Sequence, residues 1–208
     1  KQPSGYLQAI EQAVNACRDY GIKVEFVFFH CPAWASESGI SGGQRPRQGT
    51  FPAFVGRVAK HFKGRVESYQ LSHEVNNQAM MQGADVDFLI KEIFINGAQA
   101  VRKVYEEDPK LPVLISTSGM SPCENCGQMN GLAAKGGRGV NELYDRYIAS
   151  RDLMRGVDAL NLNVSITSTV RDFPSSVSST RKAKAAYSVA SRIGPSSRNF
   201  APVCMDAV

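Results

Sequence analysis

Tyr69-Gln70-Leu71-Ser72-His73-Glu74-Val75-Asn76-Asn77 is the stretch on which the reading of this chain turns. With Val66 just upstream, Tyr69 and Leu71 give it the apolar bulk of a strand. It then breaks off into a hydroxyl, an imidazole, a carboxyl and two amides. A buried strand that runs straight into such side chains is what the rim of an α/β-barrel active site looks like, because those sites sit at the C-terminal ends of parallel strands.

Working outward, the same unit recurs on both sides. Upstream, Tyr6, Leu7, Ile10, Val14 and Cys17 recur at helical spacing before Gly21, and Lys23–Phe29 reads as a strand. A long glycine-rich basic loop follows, and then the helical stripe Phe51, Phe54, Val55, Val58 and Phe62, closed by Gly64. Downstream, Phe88, Leu89, Ile93, Val101 and Val104 mark a long helix, and 111–117 reads as a strand. Leu143, Tyr147, Ile148 and Leu153 stripe another helix before the strand 157–164. Residues 176–193 read as a helix and 200–205 as a last strand. Strands therefore begin near 23, 66, 111, 157 and 200, a period of about 43–46 residues. Strands alternating with helices imply parallel pairing through crossover helices.

A doubly wound open sheet and a (β/α)8 TIM barrel both satisfy this pattern. The connections after strands are long (29–50, 71–85, 117–139, 164–175), and those before strands are very short (20–22, 63–65, 108–110, 155–156). No glycine-rich turn joins a strand directly to a helix, as a pyrophosphate site would require. Gly136-Gly137-Arg138-Gly139 precedes a helix without directly following a strand. The barrel is the favoured reading. Eight units at this period need roughly 350 residues, so residues 1–208 are expected to form part of a single barrel domain.

Composition narrows the classes. The 208 residues are 43% hydrophobic and 21% charged, ordinary for a globular domain. The net charge of +5 is spread along the chain. Its densest patch, Arg181, Lys182 and Lys184, lacks interleaved aromatics and reads as a solvated helix face, so no nucleic-acid partner is expected. No apolar run approaches the ~18 residues of a membrane span, so no membrane association is expected. The start, Lys-Gln-Pro-Ser, carries no apolar leader and reads as mid-protein sequence. Of five cysteines, Cys123 and Cys126 form a lone Cys-x-x-Cys: half a zinc site, a local disulfide or two free thiols. No metal or organic cofactor is expected.

Motif by motif, these segments resemble the clan A glycoside hydrolases, families 39 and 5 above all. Phe28-Phe29-His30-Cys31-Pro32-Ala33-Trp34-Ala35 is similar to their third-strand segment. Val66 to Asn76 resembles the fourth strand, which ends in Trp-Asn-Glu-Pro-Asn, with Glu74 matching the acid/base glutamate. Val101–Ser116 resembles the following helix and fifth strand, 157–163 the sixth strand, and 200–206 the seventh, which delivers the nucleophile. The resemblance implies barrel strands three to seven and hydrolysis of O-glycosidic bonds in an oligo- or polysaccharide, with Glu74 as acid/base and Asp206 as second carboxylate. Four motif positions are substituted: His73 for an asparagine, Val75 for the proline, Asn163 for a histidine and Asp206 for a glutamate. An aspartate is one methylene shorter, which sets its carboxylate roughly 1.5 Å further from the sugar. Retaining sites hold their carboxyls about 5–5.5 Å apart and inverting sites about 6.5–9.5 Å. The substitutions imply an alternative, a catalytically silent barrel that binds a glycan or a protein through the same cleft.

Each residue also has a plainer reading. Glu74 would protonate a leaving oxygen and then take a proton from water, or it is a loop acid at a helix start. Asp206 is a second carboxylate or a helix N-cap. His73 tunes Glu74 or is a hydrogen-bonded core histidine. The pair His73-Glu74 is not a zinc-protease motif, because Asn77 stands where the second histidine belongs. Trp34, the only tryptophan, offers an indole face for a sugar or anchors its loop. His30, Asn76, Asn77 and Asn163 are strand-end polar groups suited to sugar hydroxyls. No Gly-x-Ser-x-Gly elbow is present for a serine nucleophile.

Overall fold

A computed structural model describes residues 5–77, 80–121, 140–161 and 200–206, with backbone alone for 140–142 and 200–206. The expected helix at 176–193, Asn163, Cys123 and Cys126 lie outside the described residues.

Helix α1 (Gly5–Asp19) buries Ile10 and Val14, with Leu7 and Cys17 packed beside them on the same stripe. It ends where its sequence predicts. Gly21 takes a φ of 69°, its N–H donates to the Arg18 carbonyl (2.9 Å), and the Ile22 N–H donates to the Cys17 carbonyl (2.8 Å). This paired reversal satisfies two of the helix's last carbonyls and needs a residue that tolerates the left-handed conformation. Strand β1 (Lys23–Phe29) follows at once. Helix α2 (Thr50–Phe62) buries Val55, Val58, Ala59 and Phe62, and β2 (Ser68–Leu71) is buried at all four positions.

The next helix is not uniform. α3 (Val86–Phe88) widens into a π-helical stretch, Leu89–Ile95, before α4 (Asn96–Tyr105). The wider winding brings Glu92 inside together with Ile93 and Phe94. Apolar spacing alone predicts one regular helix here, and the carboxylate's inward partner, described below, accompanies the departure. Strand β3 (Leu114–Thr117), α5 (Val140–Ala149) and α6 (Arg151–Gly156) come next, and β4 (Phe200–Asp206) is the last element.

Among the described residues the sheet has four parallel strands in the order β3-β2-β1-β4. Residues 157–161 run along the outer side of β3. Asp158 and Ala159 donate to the Ile115 carbonyl, the Thr117 N–H donates to Ala159, and Asp158 binds the Ile115 N–H (2.8 Å) and Arg102 (2.6 Å). The segment expected as a strand from 157 is therefore present beside β3 as a bridge at Ala159. Segment 157–161, β3, β2 and β1 are neighbours in sequence order, as in a barrel. β4 lies against β1, whereas a closed barrel of sequential strands would set it beyond 157–161. Four strands do not close a barrel.

The two sheet faces differ. Val24, Phe26, Phe28, Tyr69, Leu71 and Ile115, alternate positions of β1, β2 and β3, join one apolar cluster with α1, α2, the α3–α4 segment, α5 and α6. Phe26 meets Phe62 edge-on at 4.8 Å, and Phe28 stacks on Tyr69 at 6.3 Å. The helices sit side by side: a Cβ on Gly56 would stand 3.5 Å from Ala100 Cβ, and one on Gly97 3.1 Å from Phe51. The intervening strand positions carry Glu25, Ser68, Gln70 and Ser116 and belong to the opposite face.

Candidate functional site

The C-terminal ends of β1, β2 and β3 are where the backbone departs from ordinary geometry. Among the described residues the non-glycine positions with positive φ are His30 (61°), Ser72 (78°) and Glu74 (44°). His30 directly follows β1, Ser72 directly follows β2, and Glu74 is two residues further on. Such conformations are uncommon for residues with a Cβ, cost of order 1–3 kcal/mol each, and gather at functional sites. A strand-end carboxyl flanked by two such residues is the strongest local sign of a site in this chain.

The turn after β2 is tied to β3. The Glu74 N–H donates to the Gly119 carbonyl (2.9 Å), the Val75 N–H to Ser118 Oγ (3.2 Å), and the Asn77 N–H to the Glu74 carbonyl (2.7 Å). Asn76 is 1% exposed, and both ends of its amide are engaged: Nδ2 donates to the Ser121 carbonyl (2.8 Å), and Oδ1 accepts from the Ser121 N–H (2.7 Å). The residue expected to meet a sugar hydroxyl is thus placed as a clamp between two strand-end loops. Glu74 and His73 remain partly exposed, with His73 Nε2 3.9 Å from Glu74 Oε1.

The ends of β1 and β2 are joined through rings. Phe29 lies 4.6 Å from the His30 ring and 5.9 Å from the His73 ring. His30 also lines a small hollow with Cys31, Pro32, Trp34, Phe51 and Phe54. Trp34 is 62% exposed, so its indole is open to contact from outside. Cys31 is buried, its Sγ faces the Gln44 carbonyl at 3.4 Å, and burial pushes the thiol's pKa up. That is the opposite of what a reactive thiolate needs. Asp206 is the last residue of β4, in register with Phe29. Continued by two residues, the β1–β2 register sets Ser72 level with Phe29 on the other side. Ser72 and Asp206 are thus two strands apart, roughly 10 Å between backbones.

The long loop 31–49 is held by residues that sequence reasoning passed over. Its base is an antiparallel pair between Cys31 and Gly42 (2.8 and 2.9 Å). Arg45 stacks over Phe88 at 4.1 Å and pairs with Glu37 (3.2 Å) and Asp85 (3.8 Å). Gln44 bonds Gln82 at 2.9 Å. At the loop's end Gly49 opens α2 without a side-chain cap. Glu92, 3% exposed, supplies the missing acceptor, taking the Gly49 N–H on Oε1 and Asn96 Nδ2 (2.8 Å) on Oε2. A carboxylate at a helix N-terminus is favourably placed. An acid inside the apolar run Leu89-Ile90-Lys91-Glu92-Ile93-Phe94 was the one available signal for this.

Among the described residues no group of three or more His, Cys, Asp or Glu side chains is placed to hold a metal ion, and no helix is long and apolar enough to cross a membrane. The chain matches no protein-family model and no curated protein.

Proposed function

We propose that the C-terminal edge of this sheet is a carbohydrate site of the glycoside hydrolase type, in a chain that contributes strands three to seven of a (β/α)8 barrel. The observation that carries this reading is the strand-end cluster with strained backbone at His30, Ser72 and Glu74, in which His73 lies beside Glu74. The sequential order of segment 157–161, β3, β2 and β1 supports the barrel, while β4 against β1 is the order of a doubly wound sheet. In this reading Glu74 donates a proton to the glycosidic oxygen and later accepts one from water, Asp206 acts on the opposite side of the ring, and Trp34 offers a sugar-stacking surface.

A second reading is a silent barrel that binds glycans without cleaving them. The substitutions at His73, Val75, Asn163 and Asp206 favour it, as does the engagement of Asn76 by Ser121. A panel of aryl glycosides separates the two. Turnover that disappears in Glu74→Gln supports the hydrolase, and sugar binding without turnover supports the silent barrel.

A further inference from the structure

Trp34, the only tryptophan of the chain, lines a small hollow while its side chain stays largely exposed. The hollow lies between the 31–49 loop and the first turns of α2, with Ala35, Pro46, Phe51 and Phe54 among its walls. His30, the residue after β1, is on the wall as well. Its ring packs on Phe29, which also meets the ring of His73, the neighbour of Glu74. The hollow therefore borders the strand-end site and shares a residue with it.

Its size and its walls define what it takes. The volume is about 30 Å³, and one water-sized group needs about 10–15 Å³. Such a hollow admits roughly two heavy atoms and excludes a sugar ring. Two of its polar side chains are already committed: Thr50 Oγ1 donates to the Arg47 carbonyl (2.6 Å), and Cys31 Sγ faces the Gln44 carbonyl (3.4 Å). Apart from these and His30, the wall is proline, alanine and aromatic rings. A hydroxyl moved there from water gives up hydrogen bonds that such a wall does not replace, whereas a methyl group gains from burial.

We infer that the hollow takes the methyl group of a 6-deoxyhexose whose ring lies on the Trp34 indole. The inference rests on the carbohydrate reading of the neighbouring edge and adds a substrate class to it. An ordinary hexose carries a hydroxymethyl group at the same carbon, of suitable size but with a hydroxyl to bury. A pentose carries nothing there and leaves the hollow empty. The site discriminates against the first by polarity and against the second by lost contact, each by about tenfold or more.

The test is the sugar affinity of the parent, followed by Trp34 fluorescence and by calorimetry. The probes are monosaccharide pairs that differ only in the 6-oxygen: L-fucose and L-galactose, D-fucose and D-galactose, L-rhamnose and L-mannose. At least one 6-deoxy sugar is expected to bind about tenfold more tightly than its hexose partner and to shift the Trp34 emission. Ala35→Val fills the hollow from a buried wall position and is expected to erase that difference. The pairs test the inference on the parent alone, whatever the stability of the variant. Equal affinities within every pair, tighter binding of the hexoses, no sugar binding at all, or a preference that survives in folded Ala35→Val would overturn it. N-acetylglucosamine binding more tightly than every 6-deoxy sugar would assign the hollow to an acetamide methyl and overturn it as well. The outcome is separable from the hydrolase reading. A 6-deoxy preference without turnover of any aryl glycoside keeps the hollow's role and removes the hydrolase. Aryl glycoside turnover lost in Glu74→Gln, with no preference within any pair, does the reverse.

Discussion

Removing the Glu92 carboxylate should loosen the loop that carries Trp34 without touching that loop. Glu92 is 3% exposed and accepts from the Gly49 N–H and from Asn96 Nδ2. In Glu92→Ala both donors lose their acceptor inside the protein. A hydrogen bond to a charged group contributes about 1.5–3 kcal/mol, and a carboxylate at a helix N-terminus adds about 0.3–1 kcal/mol. Because the Asn96 amide can turn toward other partners, the two bonds do not count in full, and a loss of about 3–4 kcal/mol is expected. Glu92→Gln keeps an acceptor for Gly49, and Asn96 can reverse its amide to accept from the new NH2 group, so about 1–2 kcal/mol is expected. Urea unfolding of both variants measures this through the midpoint at constant slope. Near-equal losses in the two variants, or a loss below about 0.5 kcal/mol in Glu92→Ala, would refute the capping role; the latter is within the range of ordinary surface substitutions.

Three further outcomes follow from single residues. Asn76→Asp keeps an acceptor for the Ser121 N–H but turns a donor into an anion facing the Ser121 carbonyl, so it should lower stability by about 2 kcal/mol, read by thermal denaturation; an unchanged melting temperature would remove the clamp. Burial raises the Glu25 pKa against a smaller opposing effect from the Ser68 hydroxyl. The folded state therefore holds its proton to higher pH, and stability is lost as pH rises from the unfolded value through the folded one. Glu25→Gln should thus stabilise the protein at pH 7 and leave it unchanged near pH 3, and melting curves at both values check the sign. Burial also raises the phenols of Tyr69, Tyr105 and Tyr147, and pushes Tyr144 up to about 12. Stability should fall as pH climbs above about 10, the value in an unfolded chain, and ultraviolet titration should show these tyrosines ionising only as the protein unfolds.

Much of the fold could be read from the sequence because its signals are local. Gly21 and Gly64 stop helices through positive φ, and the apolar stripes of α1 and α2 state which face is buried. β1 begins at Lys23 as read, while β2 and β3 begin two and three residues later than their apolar runs suggest. The π-helical stretch at Leu89–Ile95 could not be read from spacing, because it goes with a long-range partner, Gly49, that apolar periodicity does not register. The strand-end location of Glu74, His73 and His30 was legible, since a strand that turns polar announces its own end. The strained backbone at His30, Ser72 and Glu74 was not, because none of these is a glycine or asparagine. The work of Asn76 was hidden for a related reason: an amide suited to a sugar hydroxyl is equally suited to a backbone N–H and C=O, and only the fold brings Ser121 to it.

The central claim is that Glu74 moves a proton to a glycosidic oxygen, and it is tested most directly by comparing the parent with Glu74→Gln on aryl glycosides whose leaving groups span good to poor. A general acid matters most when the leaving group is poor. The account predicts a loss of about 10²–10⁴-fold in turnover on the poor leaving groups and a much smaller loss on the best. Equal turnover of parent and variant across the series, with both folded, would contradict it.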